Sequence, residues 1–231
     1  MKKRQRLGQH FLKSNKIAQA IVYAARPSKK DTILEIGPGK GILTPLLCKN
    51  AKKVISIEAD RELYSEIKAK FSEIPNLVLK HGDGFKSKDD FSVFVSNLPY
   101  SKSKNAFEWL SQKKFSHAIV MVQKEFAHKL LEEKKAISVL ANYAFDIHEI
   151  IQVGKNNFSP TPKVDSTVLA LTQKKSLSKE LISTVNKMFS YRRKTLSNIL
   201  KRFGQEIESD KRLDDLNGDE IIKIARQIIK K

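Results

Sequence analysis

Short apolar runs alternate with longer periodic stretches along most of the chain. Thr32-Ile33-Leu34-Glu35-Ile36 is a compact apolar run followed at once by glycines, and Lys53-Val54-Ile55-Ser56-Ile57-Glu58 is a second. Leu77 to Lys80, Phe91 to Val95 and Ala118 to Val122 continue the series, with Ile147 to Val153 and Val164 to Leu171 following later. Runs of this length, rich in branched residues and bounded by turn residues, predict strands buried on both faces. Between the earlier runs the period becomes helical. Ile17 and Ile21 fall one turn apart, behind a Ser14 cap and ahead of Pro27. Ile42 to Lys49 reads as a helix that tolerates Pro45 only near its first turn, and Asp60 caps a stretch whose Leu63, Ile67 and Phe71 share one face. Strands alternating with helices imply an α/β fold with a mostly parallel sheet covered on both sides.

Beyond Leu171 the strands stop. Gln173-Lys174-Lys175-Ser176 is a polar joint, and three helical stretches follow: Leu181 to Phe189, Leu196 to Phe203 with Gly204 as a C-cap glycine, and Ile221 to Ile229. The expected division is an α/β domain over residues 1–172, with a basic N-terminal arm, and a small helical domain over 173–231. The helical part is too short for a large core of its own, so it needs apolar surface to pack against.

Charge changes the picture more than composition does. Lys and Arg number 44 against 25 Asp and Glu, a net charge of +19. Such an excess opposes compaction and points to a polyanion partner, nucleic acid first. Cys48 is the single cysteine, which excludes an internal disulfide and a thiolate zinc site. His10, His81, His117, His128 and His148 do not share metal-ligand spacing, so no metal is expected. No apolar stretch approaches the ~20 residues of a membrane span, and the basic start Met1 to Arg6 is not followed by a signal-peptide core. A cytoplasmic location without membrane contact is expected.

Five segments carry candidate chemistry. Gly37-Pro38-Gly39-Lys40-Gly41 follows the first strand and precedes a helix, where glycines let backbone approach a ligand closely. Its Gly-x-Gly-x-Gly spacing differs from both the dinucleotide fingerprint and the phosphate-binding P-loop. Glu58 ends the second strand, where a carboxylate can accept both hydroxyls of a ribose. Asp83, in Gly82-Asp83-Gly84, can accept from an adenine amino group, although a plain turn uses the same residues. Asn97-Leu98-Pro99-Tyr100 follows the fourth strand and borders the same crevice. The Asn97 side-chain oxygen and the Leu98 carbonyl suit an exocyclic amine on an aromatic base, Pro99 holds that carbonyl extended, and Tyr100 offers a π-face. Phe158, before the stiff Ser159-Pro160-Thr161-Pro162 loop, is either a second stacking face for an extruded base or a core ring beside an edge strand.

Taken in order with Gly8-Gln9-His10-Phe11-Leu12 and Phe189-Ser190-Tyr191-Arg192-Arg193-Lys194, these motifs make the chain similar to the small-subunit ribosomal RNA adenine-N6 dimethyltransferases over nearly its whole length. His10, where bacterial members usually carry Asn, resembles the archaeal type. The resemblance implies a Rossmann-like S-adenosylmethionine-dependent methyltransferase domain followed by a helical RNA-binding domain. It implies dimethylation of two adjacent adenosines near the 3′ end of small-subunit rRNA. The immature small ribosomal subunit would be the partner, and the enzyme a monomer. Carried over by motif, His10, Leu12, Gly37, Gly39, Gly41, Glu58, Asp83 and Asn97 would hold the cofactor. Asn97 through Tyr100 and Phe158 would act on the target base. Lys3, Arg4, Arg6, Arg192, Arg193 and Lys194 would contact RNA. Rival readings are the related large-subunit methyltransferase of macrolide resistance and an assembly factor with secondary catalysis. A nicotinamide oxidoreductase fits the sheet but not the glycine spacing.

Overall fold

The computed structural model describes residues 10–230. In chain order its elements are β1 (Phe11–Leu12), α1 (Asn15–Ala25), β2 (Thr32–Ile36), α2 (Thr44–Asn50), β3 (Lys53–Glu58), α3 (Arg61–Lys70), β4 (Leu77–His81), β5 (Val93–Asn97) and α4 (Ser103–Leu110). There follow β6 (His117–Gln123), α5 (Lys124–Glu132), α6 (Ala136–Ala144), β7 (Phe145–Val153), β8 (Phe158–Ser159), β9 (Ser166–Gln173), α7 (Lys179–Ser190), α8 (Leu196–Lys201) and α9 (Gly218–Ile229).

The larger sheet runs β4-β3-β2-β5-β6-β9-β7. Strands β4 through β6 are parallel, with Leu34 opposite Ile55 on one side and Phe94 on the other, and β9 is antiparallel to β6. The chain moves outward from β2 to β4, then returns to place β5 on the other side of β2. That reversal leaves a crevice at the carboxyl ends of β2 and β5, the usual ligand position in such sheets. The strands are apolar along their length because both faces are covered: Ile33, Leu34, Val54, Val93, Phe94, Val95 and Val120 are fully buried. Each contributes roughly 1.5–3 kcal/mol relative to exposure.

The caps form where the sequence places them. Ser14 Oγ accepts from Ile17 N at 3.4 Å, and Asp60 Oδ1 accepts from Glu62 N at 2.9 Å and Leu63 N at 3.2 Å. Helix α2 has no side-chain cap and carries Pro45 in its first turn, where the missing N–H leaves no bond unmade. Strand β5 begins at Val93 rather than Phe91, and β9 at Ser166 rather than Val164.

A pairing that periodicity does not announce is β1 with β8. These two-residue strands run antiparallel, Phe11 opposite Ser159 and Leu12 opposite Phe158. A strand so short carries no alternation to read; only its distant partner defines it.

The chain divides into two compact units. The described residues up to Ala106 join Lys114–Ala127 and Ile147–Gln173 in the first; Phe107–Lys113, His128–Asp146 and the segment from Lys174 form the second. The helical unit therefore takes in two segments that precede the expected boundary. Its apolar faces explain why: α7 buries Leu181, Ile182, Val185 and Met188, α9 buries Ile221, Ile222 and Ala225, and α6 supplies Ile137, Leu140, Ala141 and Ala144. The C-terminal helices alone are too few to enclose a core. Among the described residues, no helix is long and apolar enough to cross a membrane, and no three His, Cys, Asp or Glu side chains cluster as a metal site would require.

Candidate active site

At the carboxyl end of β2 the chain turns through Gly37, Gly39 and Gly41, with φ of 72°, 59° and 73°. The turn is locked from within and from β3: Gly41 N donates to Pro38 O at 2.8 Å, and Gly37 N donates to Ile57 O at 2.9 Å. Gly39 must be glycine for two reasons. Its φ is left-handed, and a Cβ there would stand 2.8 Å from the Phe11 ring. At Gly41 a Cβ would run into Phe71. The Phe11 and Phe71 rings therefore pack directly on this turn.

Glu58 meets this turn from the end of β3. Its Oε2 accepts from Gly39 N at 3.0 Å and its Oε1 from Asp60 N at 2.9 Å. Burial pushes its carboxyl above the usual range, while the two N–H bonds pull the other way. Each carboxylate oxygen accepts more than one bond, so both keep capacity for a ligand's hydroxyls. Gly82 N donates to Glu58 O at 2.9 Å, which ties the loop after β4 to the same strand end.

Asn97 ends β5. Its Nδ2 donates to His10 O at 3.5 Å, and its Oδ1 has no protein partner among the described residues. Leu98 N donates to Met121 O at 3.1 Å. Tyr100 stacks on His10 with ring centroids 5.4 Å apart, and its hydroxyl bonds Ser166 Oγ at 2.8 Å. Burial raises the Tyr100 phenol, so it stays protonated. His10 Nδ1 donates to Pro160 O at 2.8 Å. His10 thus joins the arm, the β5 end and the proline loop.

Most of these residues line one cavity that opens to solvent. His10, Leu12, Gly37, Gly39, Glu58 and Asn97 through Tyr100 all border it. Gly41 and Asp83 stand outside the lining. Asp83 Oδ1 accepts from Phe85 N at 3.0 Å and caps a single tight turn over Gly84–Lys86, which leaves Oδ2 without a partner among the described residues.

Phe158 corrects an expectation. Its ring is 1% exposed and packs in the apolar core with Leu12 and Met121, so it presents no stacking face in this structure. The pairing of β8 with β1 turns the side chain inward, and the core reading of this residue is the one realised. Phe11 and Tyr100, with the His10 ring, are the aromatic side chains that border the cavity. Of the basic residues expected on RNA, Arg193 and Lys194 are exposed, while Arg192 holds Asp214 with Nη2 3.1 Å from Oδ1. Lys3, Arg4 and Arg6 lie outside the described residues.

Glu35 is a site residue to which sequence reasoning gave no role. It is 1% exposed on a central strand and lines the cavity. Its Oε2 accepts from Thr44 Oγ1 and Ser56 Oγ, each at 2.8 Å. Burial pushes its carboxyl up to about 7 from 4.5, with Glu58 adding to the effect. The signal was available: a lone carboxylate inside the apolar run Thr32 to Ile36.

The folded form holds a proton on Glu35 that the unfolded chain releases at lower pH. Stability from this group is complete below about pH 4.5 and is lost as pH rises through about 7. Urea melts of Glu35→Gln, compared with the wild type from about pH 5 to 8, are expected to flatten that fall by up to about 3 kcal/mol. An unchanged slope would remove Glu35 as its source.

The family model described as ribosomal RNA adenine dimethylase matches residues 1–227. A ribosomal RNA small subunit methyltransferase A from Thermotoga petrophila is 34% identical, over 96% of this chain and 90% of its own length. A dimethyladenosine transferase crystal structure from Plasmodium falciparum superposes with a TM-score of 0.80 at 28% identity, covering 96% of this chain and 98% of that one. The 23S rRNA methyltransferase ErmE superposes with a TM-score of 0.71 at 22% identity, over 95% of this chain and 99% of that one, and shares the fold.

Proposed function

Because the chain belongs to the ribosomal RNA adenine dimethylase family, we propose that its cavity transfers methyl groups to the N6 amines of two neighbouring adenosines near the 3′ end of small-subunit rRNA. The protein is an S-adenosylmethionine-dependent rRNA methyltransferase with a part in small-subunit biogenesis. The observation that carries the finer reading is the spare acceptor at Asn97 Oδ1, set beside the glycine turn and Glu58 in one cavity.

The residues present suit the cofactor. Gly37 and Gly39 bring positive-φ backbone to the cavity, and Glu58 is a buried acceptor fit for a ribose. When bound, S-adenosylmethionine supplies an electrophilic methyl on a cationic sulfur that leaves as a neutral thioether. Glu58 accepts from the ribose hydroxyls, Asp83 Oδ2 from the adenine amine, and His10 and Leu12 wall the pocket. Asn97 Oδ1 and the Leu98 carbonyl accept from the two N–H bonds of the target amine. Both bonds strengthen as its nitrogen becomes tetrahedral, because the lone pair is then withdrawn from the ring. Pro99 fixes the Leu98 carbonyl, and Tyr100 stacks on the extruded base. The nitrogen sheds its proton only after the methyl has arrived, so no general base is needed before attack. Positioning and exclusion of water supply much of the acceleration.

The test is mass spectrometry of immature small subunits before and after incubation with enzyme and methyl donor. Four methyls gained on adjacent adenosines support the reading. Methylation confined to large-subunit RNA would replace it with the rival activity that shares the fold. Arg193 and Lys194 serve the RNA backbone in this reading. Arg193→Ala with Lys194→Ala is expected to reduce the slope of log affinity against log salt by about two. Filter binding across a salt series reads that slope, and an unchanged value would take both residues off the RNA.

A further inference from the structure

The amino-terminal ends of the parallel strands carry a charge that methyl transfer does not use. The turn between α1 and β2 holds Arg26, Lys29 and Lys30; the end of α2 and the turn into β3 hold Lys49, Lys52 and Lys53. The two turns are fastened together. Lys52 N and Lys53 N both donate to Asp31 O, at 3.0 and 3.2 Å, and Lys29 Nζ donates to Lys49 O at 2.8 Å. All six basic side chains are exposed, and none forms an ion pair among the described residues.

The nearby carboxylates offset only part of this charge. Asp31, bonded by Ser28 and Ser92 and held below the usual carboxylate range, stays ionised between the turns, and Asp89 acts on Lys53. Glu73 shares with Lys29, Lys49 and Lys52 the lining of an open groove of about 1150 Å³. Six cations fixed on two joined turns repel one another, so the cluster works against folding unless an anion relieves it. In the last turn of α1, just before Arg26, Tyr23 is 83% exposed. A large aromatic left in water beside a cationic surface is the combination that single-stranded nucleic acid uses, with phosphates on the cations and a base on the ring.

We infer that this face docks a second segment of the small-subunit RNA, its backbone on the lysines and an unpaired base on Tyr23. The inference rests on the proposed RNA substrate and adds where that RNA is held. Strand β2 is 5 residues long, so the face lies on the order of 16 Å from the glycine turn. Nucleotides that present a target base at the cavity cannot also cover it, and a different part of the folded RNA must.

Lys30→Gln, Lys49→Gln and Lys52→Gln are combined in one variant, sparing Lys29 because it bonds the neighbouring turn. Affinity is measured across a salt series for two probes: immature small subunits, and a short RNA hairpin bearing the target adenosines. On subunits the variant is expected to bind at least about 10-fold more weakly at physiological salt, with a slope lower by about two to three. On the hairpin both quantities stay within about twofold of wild type. Equal affinity on subunits, or an equal loss on both probes, overturns the inference.

A second measurement does not depend on those substitutions. Cys48 is buried, so Tyr23→Cys accepts a tethered iron chelate selectively. Hydroxyl radicals from it are expected to cleave subunit RNA away from the target hairpin. Cleavage only at the hairpin, or none despite weakened binding of the lysine variant, overturns the inference; the latter result assigns the face to a ribosomal protein. Distant cleavage without methylation by the wild type overturns the functional reading and leaves the docking face standing.

Discussion

Asn97→Ala is expected to lower turnover by about 10²–10³-fold, the usual effect of removing one preorganised hydrogen-bond partner from a reacting group. The geometry explains the size. Asn97 Nδ2 donates to His10 O, and Oδ1 has no protein partner among the described residues. In the proposed reading that oxygen's bond to the amine strengthens as the nitrogen becomes tetrahedral, so its loss would weaken the transition state more than the ground state. Affinity for the methyl donor should stay within about threefold, because Glu58 and the glycine turn are untouched. Single-turnover assays at saturating methyl donor, beside calorimetric titration of the donor alone, separate the two quantities. Wild-type turnover in the variant would remove Asn97 from the reaction.

Glu58→Ala is expected to show the opposite split. Its carboxylate accepts from Gly39 N and Asp60 N, and in the proposed reading it would also accept from the ribose. Charge-assisted hydrogen bonds of this kind are worth about 1.5–3 kcal/mol each, so losing the ribose bonds should weaken methyl-donor affinity by about 100-fold. At saturating donor, turnover should fall less than about tenfold, since the acceptors for the target amine remain. Glu58→Gln is no conservative rescue, because its amide would point an N–H at the N–H of Gly39 or Asp60. Titration of the donor into each variant checks this, and donor affinity near wild type in Glu58→Ala would take Glu58 out of the cofactor site.

The parallel core was legible because both-face burial leaves a compositional mark: Ile33-Leu34 and Val54-Ile55 cannot be mistaken for a half-exposed strand. Ser14 and Asp60 were legible because a cap is a local bond. The glycine turn, Glu58 and the Asn97 to Tyr100 loop were legible as a cavity because an open parallel sheet fixes where its ligands sit. What escaped depends on contacts distant in sequence. Phe158 reads as a presented ring when judged by its proline neighbours, yet its pairing with Leu12 seats it in the core. Residues 107–113 and 128–146 carry no composition that assigns them to the helical unit; the apolar faces of α7 and α9 recruit them. Glu35 looked like one more motif letter, and only its enclosure by Thr44 and Ser56 marks it as a titrating group.

The bond from His10 to Pro160 joins residues separated by 150 positions in the chain. The carbonyl that fixes the His10 ring thus belongs to a segment that leaves the translating ribosome long after the glycine turn has emerged. During synthesis the glycine turn and its Glu58 anchor can form while the His10 ring still lacks the carbonyl that fixes it.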